Sequence, residues 1–319
     1  MRRCVLGADG IELDSDRDEM DAGGDGASRL ALGTAQLGKP YGVANRRGQP
    51  SAQETRAILD LAVSAGIRCL DTAATYGEAE MRIGRFLRER SPQRAVSVVT
   101  KLTIRDVNGG ISLRAALAAS RRRLGIVPAG VLLHDPELLA HWDGPLGRAL
   151  QACRTEGAVG AIGVSVYDPE QFAAALAIPE LDIVQAPFNV LDRRLEQNDL
   201  LEQARRRGIR VMLRSVFLQG LLLLDPARCP PGLAFARPRL RRWHELCLRH
   251  QVDPLVAALR FVMQRSRSAT IVVGCESQTQ LRQLLAAANG PDLSSAMLAG
   301  LEQLASSDTR LLDPTRWPA

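Results

Sequence analysis

Four side chains in the first half of the chain have the chemistry to move a proton to or from an oxygen: Asp71, Tyr76, Lys101 and His134. A phenol can donate the proton. An ammonium can pull the phenol below its free pKa of about 10, a carboxylate can hold the ammonium, and an imidazole can orient the receiving oxygen. Together they fit proton transfer to a carbonyl oxygen. Residue usage singles out one of them. Of 41 Lys and Arg residues only Lys39 and Lys101 are lysine. A lysine kept against such an arginine bias points to work that arginine cannot do, either as a compact charge or as a group able to release a proton. Tyrosine is equally scarce, at 41, 76 and 167 only. Each residue of the set also has a structural alternative. Asp71 could cap a turn, Tyr76 could be a rim aromatic, His134 a hydrogen-bonded structural histidine and Lys101 a surface charge.

The elements that must position these residues follow from periodicity. Apolar runs of strand length occur at 30–32, 67–70, 96–99, 130–133, 161–164, 183–184, 209–213 and 270–273, separated by longer segments of helical period. Ser51 and Glu54 form a capping box for one helix, and Ser277 and Gln280 for another. Ser112 opens a helix over 113–124 that ends at Gly125. Gly66, Gly157 and Gly208 each stand between a helix and the next strand, where a left-handed residue is useful. Alternation of strand and helix implies parallel pairing. Eight such units in about 260 residues predict an α/β fold, the closed (β/α)8 TIM barrel. The competing reading, an open doubly wound sheet, needs GxGxxG after the first strand. Gly33-Thr34-Ala35-Gln36-Leu37-Gly38 lacks the middle glycine. In the barrel, chemistry gathers at the C-terminal ends of strands. The second strand is expected to end at Asp71, the third at Lys101 and the fourth at His134.

Composition narrows the classes. The 319 residues are 46% hydrophobic and 24% charged, as in a folded globular protein. The formal charge of +6 is spread along the chain, and aromatics are only 4%, which disfavours a nucleic-acid partner. No run of 18 apolar residues suits a membrane, and the first nine residues lack the apolar stretch of a signal peptide, so the expected location is cytoplasmic. Six cysteines without a CxxC pair read as free thiols, and the four histidines without HExxH give no metal site. Residues 1–28 form a separate N-terminal segment whose 9–25 stretch, with Asp9, Glu12, Asp14, Asp16, Asp18, Glu19, Asp21 and Asp25, reads as a mobile acidic tail. Residues 29–319 make a single domain.

Leu70-Asp71-Thr72-Ala73-Ala74-Thr75-Tyr76-Gly77, then Val99-Thr100-Lys101, then Leu132-Leu133-His134 resemble the Asp/Tyr/Lys/His tetrad of the aldo-keto reductase superfamily. The similarity runs from about residue 29 to 290 and takes in Gly33–Gly38, Gly163-Val164-Ser165, the 184–189 stretch and Gly274-Cys275-Glu276-Ser277. The resemblance implies a (β/α)8 barrel that binds NADP or NAD across its mouth and interconverts a small-molecule carbonyl and an alcohol by hydride transfer, with Tyr76 as proton donor. It implies that Asp71 and Tyr76 lie near the nicotinamide with the backbone of Gly33 and Thr34. Ser165 and Gln185 would hold the carboxamide, and the stretch from Ser215 to Gly220, with Phe217 and Gln219, would wrap the pyrophosphate. Gly274, Ser277, Gln280 and Gln283 would hold the adenosine end.

Three positions depart from the family pattern. Val166 follows Ser165 where asparagine is common, which removes one carboxamide contact. Arg214 ends the seventh strand where an aromatic often stacks on the nicotinamide. Glu276 stands where many members carry a cation for the 2′-phosphate of NADP, which points toward NAD or toward weak discrimination between the two. The alternative function is that of a cofactor-binding, redox-sensing subunit of a larger assembly. Substrate identity, direction and oligomeric state are not written in the sequence. Specificity is assigned to loops such as 217–240 and the tail 309–319, where Trp243 and Trp317 either line the mouth or pack.

Overall fold

The computed structural model describes residues 26–89, 96–103 and 110–317, with only the backbone of 110–112. Eight strands form one closed, all-parallel barrel in chain order: β1 (Leu30–Gly33), β2 (Cys69–Asp71), β3 (Ser97–Leu102), β4 (Gly130–Leu133), β5 (Ile162–Ser165), β6 (Ile183–Pro187), β7 (Arg210–Arg214) and β8 (Thr270–Gly274), with β8 pairing back onto β1. The expected (β/α)8 TIM barrel is therefore the fold. The expected acidic tail at 9–25 lies outside the described residues. The expected domain boundary after residue 28 falls inside a turn, Gly26–Arg29, that is already docked: Gly26 donates its N–H to Asn289 Oδ1 at 2.9 Å.

The principal helices are α1 (Ala52–Ser64), α2 (Ala79–Glu89), α3 (Gly110–Leu124), α4 (Pro145–Thr155), α5 (Pro169–Leu176), α6 (Leu200–Arg206), α7 (Arg237–His250), α8 (Pro254–Arg265), α9 (Gln278–Ala288) and α10 (Ser295–Glu302). Their starts follow local chemistry. Ser51 and Glu54 make the reciprocal capping box ahead of α1. Asp168 and Asp253 accept backbone N–H bonds at the heads of α5 and α8, each followed by a proline, whose missing N–H costs nothing in the first turn. Ser277 caps α9, but Gln280 reaches back to the N–H of Glu276 rather than to that of Ser277, so the second expected box is only half made. Helix α3 starts before Ser112, at Gly110. Gly66, Gly157 and Gly208 take φ of 101°, 68° and 67°, as their place between helix and strand predicts. Among the described residues no helix is long and apolar enough to cross a membrane.

Two apolar layers result. The larger lies between barrel and helices. The smaller fills the barrel itself with Ala31, Val99, Leu132, Ala161, Ile183, Met212 and Val272, with Cys69 packed against it, one residue from each strand or its first flank. Side chains on a strand return to the same face every second residue. Two steps beyond this plug come Gly33, Asp71, Lys101, His134, Gln185, Arg214 and Gly274. The barrel thus lifts these residues together to its C-terminal mouth. Register agrees: Gly33 pairs with Asp71 and Gly274, Ser165 with Gln185, and Pro187 with Arg214.

Candidate active site

At the centre of the mouth lies an ion pair. Lys101, 1% exposed, donates from Nζ to both oxygens of Asp71 at 2.6 and 2.7 Å and to the Thr72 carbonyl at 3.1 Å. Gln185 crosses from β6 to donate Nε2 to Asp71 Oδ1 at 2.7 Å. The Asp71 backbone is anchored in turn, its carbonyl accepting from the Thr34 N–H and hydroxyl at 2.9 Å each. Two strand ends differ from expectation by one residue. β3 runs past Lys101 to Leu102, and β4 stops at Leu133, so His134 is the first residue beyond it, its N–H donating to the Leu102 carbonyl at 2.8 Å.

Tyr76 belongs to the loop after β2, and two glycines hold that loop. A Cβ on Gly38 would come within 1.7 Å of the Tyr76 carbonyl oxygen, and one on Gly77, at φ +54°, within 2.2 Å of the Gly38 oxygen. Only glycine at both places lets the turn after β1 close on this loop. The Tyr76 ring meets the His134 ring edge-on at 6.0 Å between centroids. Lys101 Nζ stands 5.2 Å from the Tyr76 ring centre, and Lys39 Nζ 5.5 Å from it. Both lysines of the chain therefore serve one tyrosine. The expected depression of the Tyr76 pKa by Lys101 is not found. Burial pushes the hydroxyl above the ordinary phenol value, Asp71 pushes it further, Arg214 opposes and Tyr167 adds to the rise. The physical reason is the ion pair: the Lys101 charge is balanced by Asp71 at hydrogen-bond distance, leaving desolvation to dominate.

A cavity of about 510 Å³ opens over this cluster. Gly33, Thr34, Asp71, Gln185, Arg214, Ser215, Phe217, Gln219, Gly220, Gly274, Glu276, Gln280 and Gln283 line it, together with Tyr76 and His134. Two expected contacts do not. Ser165 is 1% exposed at the end of β5, its hydroxyl 3.4 Å from Arg214 Nε, and the Ser277 hydroxyl is taken up by the N–H of Gln280. Gln185 Oε1 is buried and has no hydrogen-bond partner among the described residues. The loop after β7 places Ser215, Leu218, Gln219 and Gly220 at positive φ, between 48° and 88°. Such backbone turns its N–H groups into anion-binding concavities. Burial raises the Glu276 carboxyl above its usual range, opposed by its bond with Gln280 and by Arg47. Trp243 is packed, its indole donating to the Leu222 carbonyl at 2.9 Å, and Trp317 is half-buried against the Leu311 carbonyl. The tail reaches the mouth through Pro314 and Thr315 instead.

Lys39, Tyr41 and Tyr167 also line the cavity, so every tyrosine of the chain does. Burial, with the neighbouring Tyr76, pushes the Tyr41 hydroxyl up to about 12. Sequence reasoning passed over these three, although the scarcity of lysine and tyrosine that drew attention to Lys101 applies equally to them.

The description "Aldo/keto reductase family" belongs to the sequence family that matches residues 29–306. The NADH-specific methylglyoxal reductase of Escherichia coli (strain K12) is 30% identical over 298 residues, covering 82% of this chain and 90% of that one. The D-threo-aldose 1-dehydrogenase of a Pseudomonas species is 27% identical over 300 residues, covering 81% and 90%. Among solved structures, an aldo-keto reductase from Bacillus halodurans shares the fold with a TM-score of 0.71 at 19% identity, covering 90% of this chain and 95% of that one. With a family match over most of its length, the chain belongs to the aldo/keto reductase family of carbonyl and alcohol oxidoreductases.

Proposed function

We propose that this protein reduces a small carbonyl compound to an alcohol with a nicotinamide dinucleotide as the hydride source, Tyr76 giving the proton. The observation that carries the reading is the convergence of Tyr76, His134 and Asp71 on one cavity, with Lys101 buried and bonded to Asp71. The residues present fit the cofactor. The buried Gln185 Oε1 lacks a donor, and a carboxamide NH2 supplies one. In the loop from Ser215 to Gly220 the N–H groups of Leu218 and Gly220 bond the Ser215 and Phe217 carbonyls, which leaves those of Val216, Phe217 and Gln219 for a pyrophosphate, and Gly274, Glu276, Gln280 and Gln283 remain for the adenosine end. When bound, the dinucleotide supplies hydride to the carbonyl carbon.

The chain's own groups handle the rest. Tyr76 donates its phenolic proton to the oxygen as negative charge develops there, a contribution on the order of 10²–10⁴ in rate. A phenol held above its ordinary pKa stays protonated at neutral pH, which suits the reductive direction. His134, edge-on to Tyr76, orients the oxygen. Lys101 and Asp71 act as positioning residues, fixing the floor on which Tyr76 rests. Glu276 at the adenosine end repels a 2′-phosphate and favours NADH. A relative named as NADH-specific supports that preference, and its methylglyoxal, with the aldose of the second relative, supports aldehydes and sugars as the substrate class.

The test is fluorescence titration with NADH and NADPH, followed by absorbance at 340 nm with a carbonyl panel that includes methylglyoxal and aldoses. Tighter NADH binding and carbonyl-dependent oxidation of NADH are expected. Failure to bind either dinucleotide would contradict the reading.

A further inference from the structure

Among the described residues, the charged groups lining the cavity are Lys39, Asp71, Arg214 and Glu276. Asp71 is satisfied by Lys101, and Glu276 stands where the loop after β8 begins, at the end assigned to adenosine. Lys39 and Arg214 have no such balance among the described residues. Among the described residues no carboxylate lies within ion-pairing distance of either. Lys39 Nζ meets only the Thr75 carbonyl, at 3.4 Å, and the face of Tyr76. Arg214 is half-buried and bonds neutral oxygens only: Ser165 Oγ at 3.4 Å, Val166 O at 3.0 Å and Ser215 Oγ at 3.2 Å. A guanidinium has five N–H donors, so these three leave two. Its Cζ lies over the Tyr167 ring, 4.6 Å from the ring centre. Arg214 also acts electrostatically on Tyr76, opposing the rise that burial imposes on the phenol.

A cation held without a counter-ion in a concave, partly dry site attracts an anion far more strongly than one in water. Held over an aromatic face and with donors to spare, a guanidinium suits a planar or tetrahedral oxyanion in particular. We infer that Arg214, assisted by Lys39, is the specificity-determining residue of this site and selects carbonyl substrates that carry an oxyanionic group, a carboxylate or a phosphate. The inference rests on the carbonyl-reductase reading above. The reaction is unchanged by it: hydride reaches the carbonyl carbon, the proton comes from Tyr76, and the anionic group is only held.

Matched substrates test it. 4-Carboxybenzaldehyde is compared with its neutral isostere 4-formylbenzamide, and D-glyceraldehyde 3-phosphate with D-glyceraldehyde, by NADH oxidation in wild type, Arg214→Gln and Lys39→Gln. The wild type should favour the anionic member of at least one pair by roughly 10- to 100-fold in kcat/KM, the scale of charge-assisted hydrogen bonds. Which pair responds tells carboxylate from phosphate. Arg214→Gln should reduce that ratio at least about tenfold, chiefly through KM, and Lys39→Gln should reduce it less. NADH affinity, measured by fluorescence on the same variants, is the second readout. A wild type indifferent to charge, or a ratio unmoved in Arg214→Gln while NADH affinity falls, would overturn the assignment and leave the cation to the cofactor. No reduction of any of the four aldehydes would overturn the carbonyl-reductase reading itself, and this inference with it.

Discussion

The proton on Tyr76 is governed by what the fold has left unbalanced around it. Lysine scarcity drew attention to Lys101, which lies 1% exposed with its Nζ 5.2 Å from the Tyr76 ring centre. The net direction of the Tyr76 shift was not legible, because it depends on how deeply the phenol is buried and on the Asp71 carboxylate beside it. With burial dominant, the Tyr76 pKa lies above the ordinary value. The consequence has a definite sign. The protonated phenol needed for reduction persists from neutral pH up to at least about 10, so reduction should show no alkaline loss from Tyr76 in that range. Oxidation of an alcohol needs the phenolate, whose fraction rises about tenfold per pH unit below the pKa, so kcat/KM for oxidation should climb steadily between pH of about 7 and about 10. Parallel pH profiles in the two directions check this, and an oxidation rate that levels off below about pH 8 would mean a depressed pKa instead.

At the level of elements, the site depends on junctions more than on the strands themselves. Apolar runs of strand length placed Asp71, Lys101 and His134 at or next to strand ends, whereas Gly33, Gln185 and Gly274 were singled out only by the family resemblance. The loops were harder to read. Nothing in Gly38 or Gly77 by itself announces that one turn must close on another, since the two are far apart in local pattern and meet only once β1 and β2 pair. Gly38→Ala would drive a methyl into the Tyr76 carbonyl. It should lower the melting temperature and cut carbonyl reduction by at least about tenfold, with dinucleotide affinity less affected; unchanged kinetics would show that Tyr76 is positioned by other means. The β8–α9 junction offers a second test. Ser277 caps α9, its hydroxyl accepting from the first-turn N–H of Gln280, and is not among the residues lining the cavity. Glu276 does line the cavity. Glu276→Arg should strengthen NADPH binding by about 1.5–3 kcal/mol, the scale of hydrogen bonds to a charged group, and change NADH binding much less. Isothermal titration of both dinucleotides measures the shift, and an unaltered ratio would remove Glu276 from the adenosine end.

For the molecule as a whole, eight apolar runs alternating with helical segments, together with the missing GxGxxG, pointed to a closed barrel, because parallel strands joined by helices bury both faces and read as near-continuous apolar segments. What spacing could not supply was the mouth. The run of left-handed residues after β7, the docked tail at Pro314 and the gathering of all three tyrosines come from contacts between distant segments. The interior plug beneath the mouth links stability to chemistry. Leu132 is fully buried in it, two residues before His134. Leu132→Ala should cost about 2–5 kcal/mol in urea unfolding, the usual range for a core leucine truncation, and should weaken activity by loosening His134. A loss below about 1 kcal/mol would mean that the barrel interior closes over the gap.

The central claim is that Tyr76 gives a proton to a carbonyl oxygen, and Tyr76→Phe tests it most directly, since the substitution removes one hydroxyl and leaves the ring against His134 and the two lysines. Carbonyl-dependent NADH oxidation should fall by at least about 10²-fold, while NADH affinity measured by fluorescence stays near that of the wild type. A phenylalanine variant that reduces carbonyls at close to the wild-type rate would contradict the account. So would a wild type that binds the dinucleotide and turns over no carbonyl, a result that would place the chain with redox-sensing subunits instead.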